Sequence, residues 1–291
     1  MKLEKLVWGV PSFWIERLPV YFGRHRGLFR AQGIELEIRC FWGGPALAAA
    51  VASGRAPIGE IGLPPFLKAA AEGLPARVIG SSAVRRLDHY LASRPGFQSL
   101  QDLRGRRIGI LAAGSCDDYF LRRMLRGVKA RPVALRQAYG DLRCFAARPP
   151  AGVPRIDAGF LVEPFLTLGE SRGQVRVMAV VRDYFPVFQW GVLLASRDLL
   201  GRRRELARRA LQAFRASCRA VAANSEEAAV FGAQMFRMPK EVFQQALLRD
   251  LARWELDARL DPEGMENCLR LQVELGAVPG GWRADRLVQR L

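Results

Sequence analysis

Two histidines, five cysteines and a set of acidic and aromatic residues in loop-like positions are where this 291-residue chain could do chemistry. The cysteines, Cys40, Cys116, Cys144, Cys218 and Cys268, stand far apart with no CxxC and no CxxH pair, which argues against structural zinc. An odd count fits a reducing compartment better than a disulfide framework, although free buried cysteines also occur in exported proteins. His25 lies in Arg24-His25-Arg26 and reads as a solvated helical residue, while His89 stands alone. Two isolated histidines make neither a catalytic constellation nor a metal centre. Walker A and glycine-rich dinucleotide patterns are absent, and no cofactor is expected.

The remaining candidates are for binding. Phe13 and Trp14 follow the first apolar segment, where they would form a wall against a ring or pack over their own loop. Phe41 and Trp42 pose the same choice, and Gly43-Gly44 either offers backbone N–H groups to a ligand or makes a plain turn. Gly114-Ser115 stands before a helix, as an anion site or as an ordinary serine cap. Asp117 and Asp118 in that helix's first turn already complement its dipole and would repel sulfonate or nitrate. Arg17, Arg85 or Arg86 would have to compensate. Glu163 would accept a hydrogen bond from a ligand amine or amide, or belong to ordinary surface structure.

The elements that position these residues alternate in kind. Leu6, Val7 and Val10 form an opening strand closed by Pro11, a helix follows over about 17–29, and Ile34, Leu36 and Ile38 alternate with charged residues as a half-covered strand. An alanine-rich helix to about Ser53, strands over 57–62 and 77–80 and a helix over 64–72 complete a first unit. A second starts near Tyr90, with strands over 107–111, 131–135, 157–161 and 175–181 and a helix from Gly114-Ser115 to about Leu125. Such alternation predicts parallel α/β sheets, and the ligand of such a sheet sits beyond its strand C-termini. From Arg202 the period is helical: Leu206, Ala210, Phe214, Cys218 and Val221 form one stripe, Phe243, Leu247, Leu251 and Trp254 another. Asp261-Pro262 starts a last helix that Gly276 ends.

Length predicts about two domains. The 45 basic against 28 acidic residues give a net charge of +17, which favours anionic surfaces in general and names none. Arg106-Arg107 and Arg202-Arg203-Arg204 fall in different units and define no single nucleic-acid groove, so no specific nucleic-acid binding is expected. No eighteen-residue uncharged apolar run could span a bilayer. The lysine-bearing start from Met1 to Val10 shows no signal peptide, which leaves a cytoplasmic protein or a mature periplasmic or exported chain whose leader has been removed.

Several segments together resemble one family, the periplasmic-binding-protein type II fold in its nitrate/sulfonate/taurine-binding and thiamine-pyrimidine-binding branch. They are Leu18-Pro19-Val20-Tyr21-Phe22, Gly27-Leu28-Phe29, Gly33-Ile34, Gly43-Gly44 with Ala46 to Gly54, the run from Asp102 to Gly109, Asp157-Ala158-Gly159 and Glu163-Pro164. The resemblance covers roughly residues 5–200. It implies two α/β lobes, lobe I of residues 1–89 and 190–291 and lobe II of residues 90–189, crossing near Tyr90 and Trp190 and closing over a ligand. His89 and Trp190 would then lie near the crossings, with Tyr119, Tyr184 and Phe188 as further aromatic surface. The function it implies is that of a monomeric solute-binding component of an ABC import system, with a permease as partner and a small aromatic, heterocyclic or carboxylated ligand. An organic ring is expected to bind better than nitrate or sulfate. Enzymatic relatives use a lysine and a histidine beyond the third strand and a cysteine-rich iron-binding run; here Ile61 and Pro65 stand at the matching positions and no cysteine cluster follows. A cytoplasmic small-molecule sensor is the third reading.

Overall fold

Alternation of buried Ile34 and Leu36 with exposed Glu35 and Glu37 makes an edge strand, and the fully buried run Ile58–Gly62 makes a central one. In a computed structural model, which describes residues 2–83, 89–185 and 187–291, these belong to the first of two sheets. Arg85 and Arg86 lie outside the described residues. In chain order the first unit holds β1 (Glu4–Val10), α1 (Leu18–His25), α2 (Leu28–Ala31), β2 (Ile34–Cys40), α3 (Gly44–Ala52), β3 (Ile58–Gly62), α4 (Leu63–Ala71) and β4 (Ala76–Ser81). The second holds β5 (Tyr90–Ser93), β6 (Arg107–Ile110), α5 (Cys116–Met124), β7 (Arg131–Ala134), β8 (Ala158–Leu161), α6 (Phe165–Ser171), β9 (Arg176–Val180) and α7 (Val181–Tyr184). Then come β10 (Gly191–Ser196), α8 (Arg197–Arg202), α9 (Arg204–Ala223), α10 (Ser225–Phe236), α11 (Lys240–Leu251) and α12 (Pro262–Glu274). The helix anticipated over 17–29 divides at Gly27, whose φ of 71° a residue with a side chain would strain to adopt.

The sheets run β2-β1-β3-β10-β4 and β7-β6-β8-β5-β9, giving the two-lobed α/β architecture of a periplasmic-binding-protein type II fold. The fourth position of each is antiparallel to its neighbours: β10 pairs with β3 and β4, and β5 with β8 and β9. The chain therefore passes between sheets twice, after β4 and before β10. β10 was not anticipated; it is a short apolar run without alternation, buried at every residue, which periodicity cannot assign.

The helical tail is anchored to the first sheet. The Trp8 ring on β1 stacks on Phe214 of α9 at 5.4 Å, and both are fully buried; burying an aromatic ring of this kind contributes about 1.5–3 kcal/mol. Glu4 accepts from Arg203 and Arg209 at the strand's start. Asp261 caps α12 by accepting the Gly264 N–H at 3.1 Å.

Candidate functional site

The site is built where both passages between the sheets meet the loops after β1, β6 and β7. His89 immediately precedes β5 and Trp190 immediately precedes β10. Their backbones are tied into opposite sheets, His89 accepting the Val181 N–H and Trp190 the Leu63 N–H. Their rings nevertheless meet at 4.3 Å between centroids. Trp14 comes from the β1 loop in an extended conformation before a buried 3-10 turn, Ile15–Arg17, and its ring lies 5.3 Å from His89 and 5.1 Å from Tyr139 of the second lobe. Phe120 of α5 stacks on Trp190 at 5.5 Å and closes the cluster from below. All five rings are buried.

Charged groups surround these rings without leaving the interior. Asp117, in the first turn of α5, accepts the Leu111 N–H through Oδ2 and turns Oδ1 toward His89 Nε2, 3.5 Å away. Arg17 bonds Glu60 on β3 at 2.9 Å and approaches Glu16 at 3.3 Å, and Glu60 also accepts from the Trp8 indole. Burial pushes the Glu16 carboxyl up to about 7, against the pull of Arg17 and the Trp190 indole. Burial likewise pushes Asp117 up to about 7, opposed by the Leu111 N–H and Tyr139. His89 is held well below its ordinary value by burial and by the charge of Arg17, so its ring is neutral at pH 7. Burial works to discharge Arg17, but Glu60 and Glu16 outweigh it and the guanidinium stays charged.

Among the described residues, several polar atoms here find no hydrogen-bond partner of ordinary geometry: Trp14 Nε1, Trp190 Nε1, both ring nitrogens of His89, Asp117 Oδ1, Glu16 Oε2, the Tyr139 hydroxyl and Ser12 Oγ. Buried polar groups are ordinarily satisfied, and a concentration of exceptions marks a place built for something else. The set offers donors and acceptors between aromatic faces, which suits a small ring with polar edges. Among the described residues no group of three or more histidine, cysteine, aspartate or glutamate side chains could hold a metal ion.

The structure brings Trp14, His89 and Trp190 together and disperses the other sequence candidates. Phe13 points away, against Phe236 at 4.6 Å and Tyr21 at 5.7 Å. Phe41 and Trp42 are half-buried against the core, and the Arg55 guanidinium covers the Phe41 ring. The Gly43 N–H donates to Pro11, and a side chain on Gly44 would collide with Pro65. Gly114 donates to Asp118, and Ser115 Oγ accepts from Ala112 at 3.4 Å, so the protein's own groups occupy the helix start proposed for an anion. Gly114 also borders a separate groove of about 580 Å³ beside Pro45, Ala48, Pro65 and Lys68. Tyr119 is buried outside the ring cluster, while Tyr184 is exposed. Phe188 packs on Phe120 and Phe185. Glu163 is fully buried and accepts from Arg249 of α11 at 2.9 Å and from the Thr167 N–H at 3.1 Å. Glu16, Tyr139 and Phe120 were missed as site residues; Arg17, considered as a countercharge, is spent on Glu60 and Glu16.

The lobes touch on either side of the ring cluster. Ile15 N–H donates to the Glu163 carbonyl at 3.2 Å, and Arg249 joins Glu163 and Glu170. A Cβ on Gly62 would stand 2.2 Å from Cys116 Sγ, so glycine there permits the approach of β3 to α5.

Binding proteins of Brucella abortus and Brucella melitensis, named as such only provisionally, are each 29% identical over 166 residues. The match covers 55% of this chain and 49% of theirs, so the chain spans about half the length of the curated relatives it matches. The alkanesulfonate-binding protein of Xanthomonas axonopodis pv. citri, solved with MOPS bound, superposes with a TM-score of 0.80 over 100% of both chains at 18% identity. The periplasmic nitrate-binding protein of Synechocystis gives 0.76 at 11% identity, covering 99% of this chain and 86% of that one. The structural likenesses show the two-lobed fold of periplasmic binding proteins. The family profile described as NMT1/THI5-like matches residues 14–228, and the chain belongs to that family.

Proposed function

We propose that the chain is the solute-binding component of an ABC import system and holds a small aromatic or heterocyclic organic molecule between its lobes. The observation that carries this reading is the ring cluster itself. Trp14, His89, Tyr139 and Trp190 come from loops of both sheets, are buried where the lobes meet, and keep beside their faces polar atoms that find no partner among the described residues. A ligand that contacts both lobes favours the closed form by its differential affinity, and the closed form presents the joint surface that a permease would recognise. Glu16 and Asp117 at the same place disfavour a dense anion such as nitrate or sulfate. In this reading the protein works in the periplasm or an equivalent exported compartment, which cell fractionation of the source organism would check.

A thermal-shift screen over pyrimidines, aromatic carboxylates, taurine, alkylsulfonates and nitrate, with calorimetry on the hits, tests the proposal. A ligand at a hundred times its Kd raises apparent stability by about 2.7 kcal/mol. Micromolar binding of nitrate or sulfate with no aromatic hit would reject it. Mass spectrometry of the recovered ligand separates binding from turnover, since a new product formed over several turnovers requires an enzyme.

A further inference from the structure

Every strand of the second sheet carries an arginine at, or just beyond, the same end. Arg107 opens β6 and stands directly across from Arg131 at the start of β7. On the other side of β6, Ile108 pairs with Ala158, so Arg155 precedes β8 at that end. β5 runs the opposite way and leaves the sheet there through Arg94, whose N–H donates to the Asp157 carbonyl at 3.1 Å. β9 enters there at Arg176, opposite Ser93. With neighbouring strands about 4.8 Å apart, the row extends about 19 Å. It lies at the far end from Tyr90 and Leu161, where β5 and β8 meet the lobe junction.

The segments that turn the chain at this end add cations and little acid. Residues 94–107, 126–131, 148–157 and 172–176 hold eleven arginines and lysines against two carboxylates, Asp102 and Asp157. Asp157 is shared by Arg94 at 2.9 Å and Arg155 at 3.2 Å, and Asp102 accepts the N–H groups of Gln98 and Ser99. Among the described residues Arg104, Arg107, Lys129 and Arg131 enter no ion pair, and all four are exposed. Arg94 and Arg106 both lie over the Phe97 ring, at 5.4 and 5.5 Å, which holds two more guanidinium groups beside the row. Like charges opposite one another on neighbouring strands are destabilising. Arg131 and Pro132 guard the free edge of β7 against another chain, but the inner strands β6, β8 and β5 need no such guard. Repulsion kept without carboxyls to relieve it suits an anionic partner.

We propose that this end of the second lobe is an adhesion surface for anionic lipid bilayers. Guanidinium groups spread over strand ends and loops match a layer of headgroup phosphates, each cation near such a surface adding about fivefold in affinity. Nucleic acid fits less well. A recognition helix presents its N-terminal residues to base edges, whereas α5 and α6 reach this end by their C-termini. Phe97 is only 7% exposed beneath its two guanidinium groups and offers no platform for base stacking. Since the row lies away from the lobe junction, bilayer contact leaves the ring cluster uncovered.

Flotation of the full chain with vesicles of phosphatidylcholine alone, or of phosphatidylcholine with an equal part of phosphatidylglycerol, tests the proposal. Anionic vesicles should carry the chain and neutral ones should not, and added salt should release it. Arg104→Gln/Arg107→Gln/Lys129→Gln/Arg131→Gln should lower partitioning about 100-fold or more. Arg24→Gln/Arg30→Gln/Arg270→Gln/Arg286→Gln removes the same charge from exposed positions of the first lobe and should stay within about fivefold of the parent. Lysine at Arg104, Arg107 and Arg131 keeps the charge and should keep the binding, which separates lost charge from lost structure. Equal binding to neutral vesicles, no binding to anionic ones, or equal losses in the two glutamine variants would overturn the proposal. A random-sequence DNA duplex bound through the same row, where anionic vesicles are not, would assign the surface to nucleic acid and overturn it as well.

Discussion

Replacing Arg249 by leucine should loosen the closed molecule without unfolding either lobe. The Arg249 guanidinium bridges Glu163 at 2.9 Å and Glu170 at 3.0 Å, joining α11 on the first lobe's side to the loop and helix after β8 on the second. Glu163 is fully buried, and burial already pushes its carboxyl upward against the opposing charge of Arg249. Without the arginine it keeps the Thr167 N–H and must stay charged in the interior, take up a proton, or be rehydrated by separation of the lobes. Protonating an ordinary glutamate at pH 7 costs about 4 kcal/mol, which caps the penalty. A charge-assisted hydrogen bond is worth about 1.5–3 kcal/mol. Because the Arg249 side chain is 31% exposed, the lower part of that range applies, about 2 kcal/mol.

The pair joins elements of the two lobes, so in the proposed reading this cost falls on closure. For a protein that is open without ligand, it enters Kd as a weakening of about 30-fold. Calorimetry with the best hit of the screen measures it, and a ligand-free assay is available in the indoles of Trp14 and Trp190, which are 3% and 2% exposed. For a protein that is closed without ligand, the same cost appears instead as opening, which should move tryptophan emission to the red and raise acrylamide quenching in Arg249→Leu. A double-mutant cycle with Glu163→Gln should show that the two losses do not add. An unchanged Kd and emission together with a large fall in ligand-free Tm would refute the argument, because the pair would then hold the fold and not the closed state.

Three further outcomes are expected. Trp14→Ala removes a ring wall and should weaken ligand binding about 10- to 100-fold, read by calorimetry, with binding within twofold of the parent counting against a place for Trp14 in the site. Glu16 and Asp117 are raised from 4.5 and 3.8 to about 7, so the stability they contribute is fully present below pH 4 and lost as the pH rises through 7. Glu16→Gln/Asp117→Asn should therefore gain Tm over the parent at pH 8 and little or nothing at pH 4, and parallel pH profiles would contradict the burial argument. Gly62→Ala should obstruct closure through the 2.2 Å contact with Cys116 Sγ and lower affinity, and Cys116→Ala in the same chain should restore it; failure of that rescue would show that the contact does not control closure.

Sequence periodicity located the outer strands and the long helices because one face of each is covered and the other wet, as in β2 and α9. It could not see β10, which is wet on neither face. At the site, Trp14 was legible as an aromatic residue just past a strand end, but its neighbour Phe13 was an equal candidate. Successive side chains of an extended segment project to opposite sides, so the two rings had to part, and which one faced the second lobe depends on the tertiary setting. Tyr139 follows a 3-10 turn that starts with Arg136 at a φ of 48°, and no local pattern announces that direction. The meeting of His89 with Trp190 joins two chain passages a hundred residues apart, and the partner of Glu163 lies 86 residues away. Such pairings are set by the crossing of the sheets and leave no periodic trace in sequence.

In the proposed reading the junction also explains why ligand and closure belong together. Stacking of Trp190 on Phe120 and the burial of Trp14 draw the lobes together. The same contact strips water from two indole N–H groups, a neutral histidine and two carboxyl oxygens that find no hydrogen bond of ordinary geometry among the described residues. Each such group left unsatisfied costs about 1–3 kcal/mol, enough for a few of them to cancel what the rings gain. In the proposed reading water would satisfy them in an open form, and the polar edges of a bound ring would do so in a closed one. An apolar junction would stay shut without a ligand, and a fully polar one would not shut at all. The mixture of aromatic faces with stranded polar atoms leaves closure finely balanced until a ligand of matching edges supplies the missing hydrogen bonds, and its affinity for the closed form is then the free energy that moves the lobes.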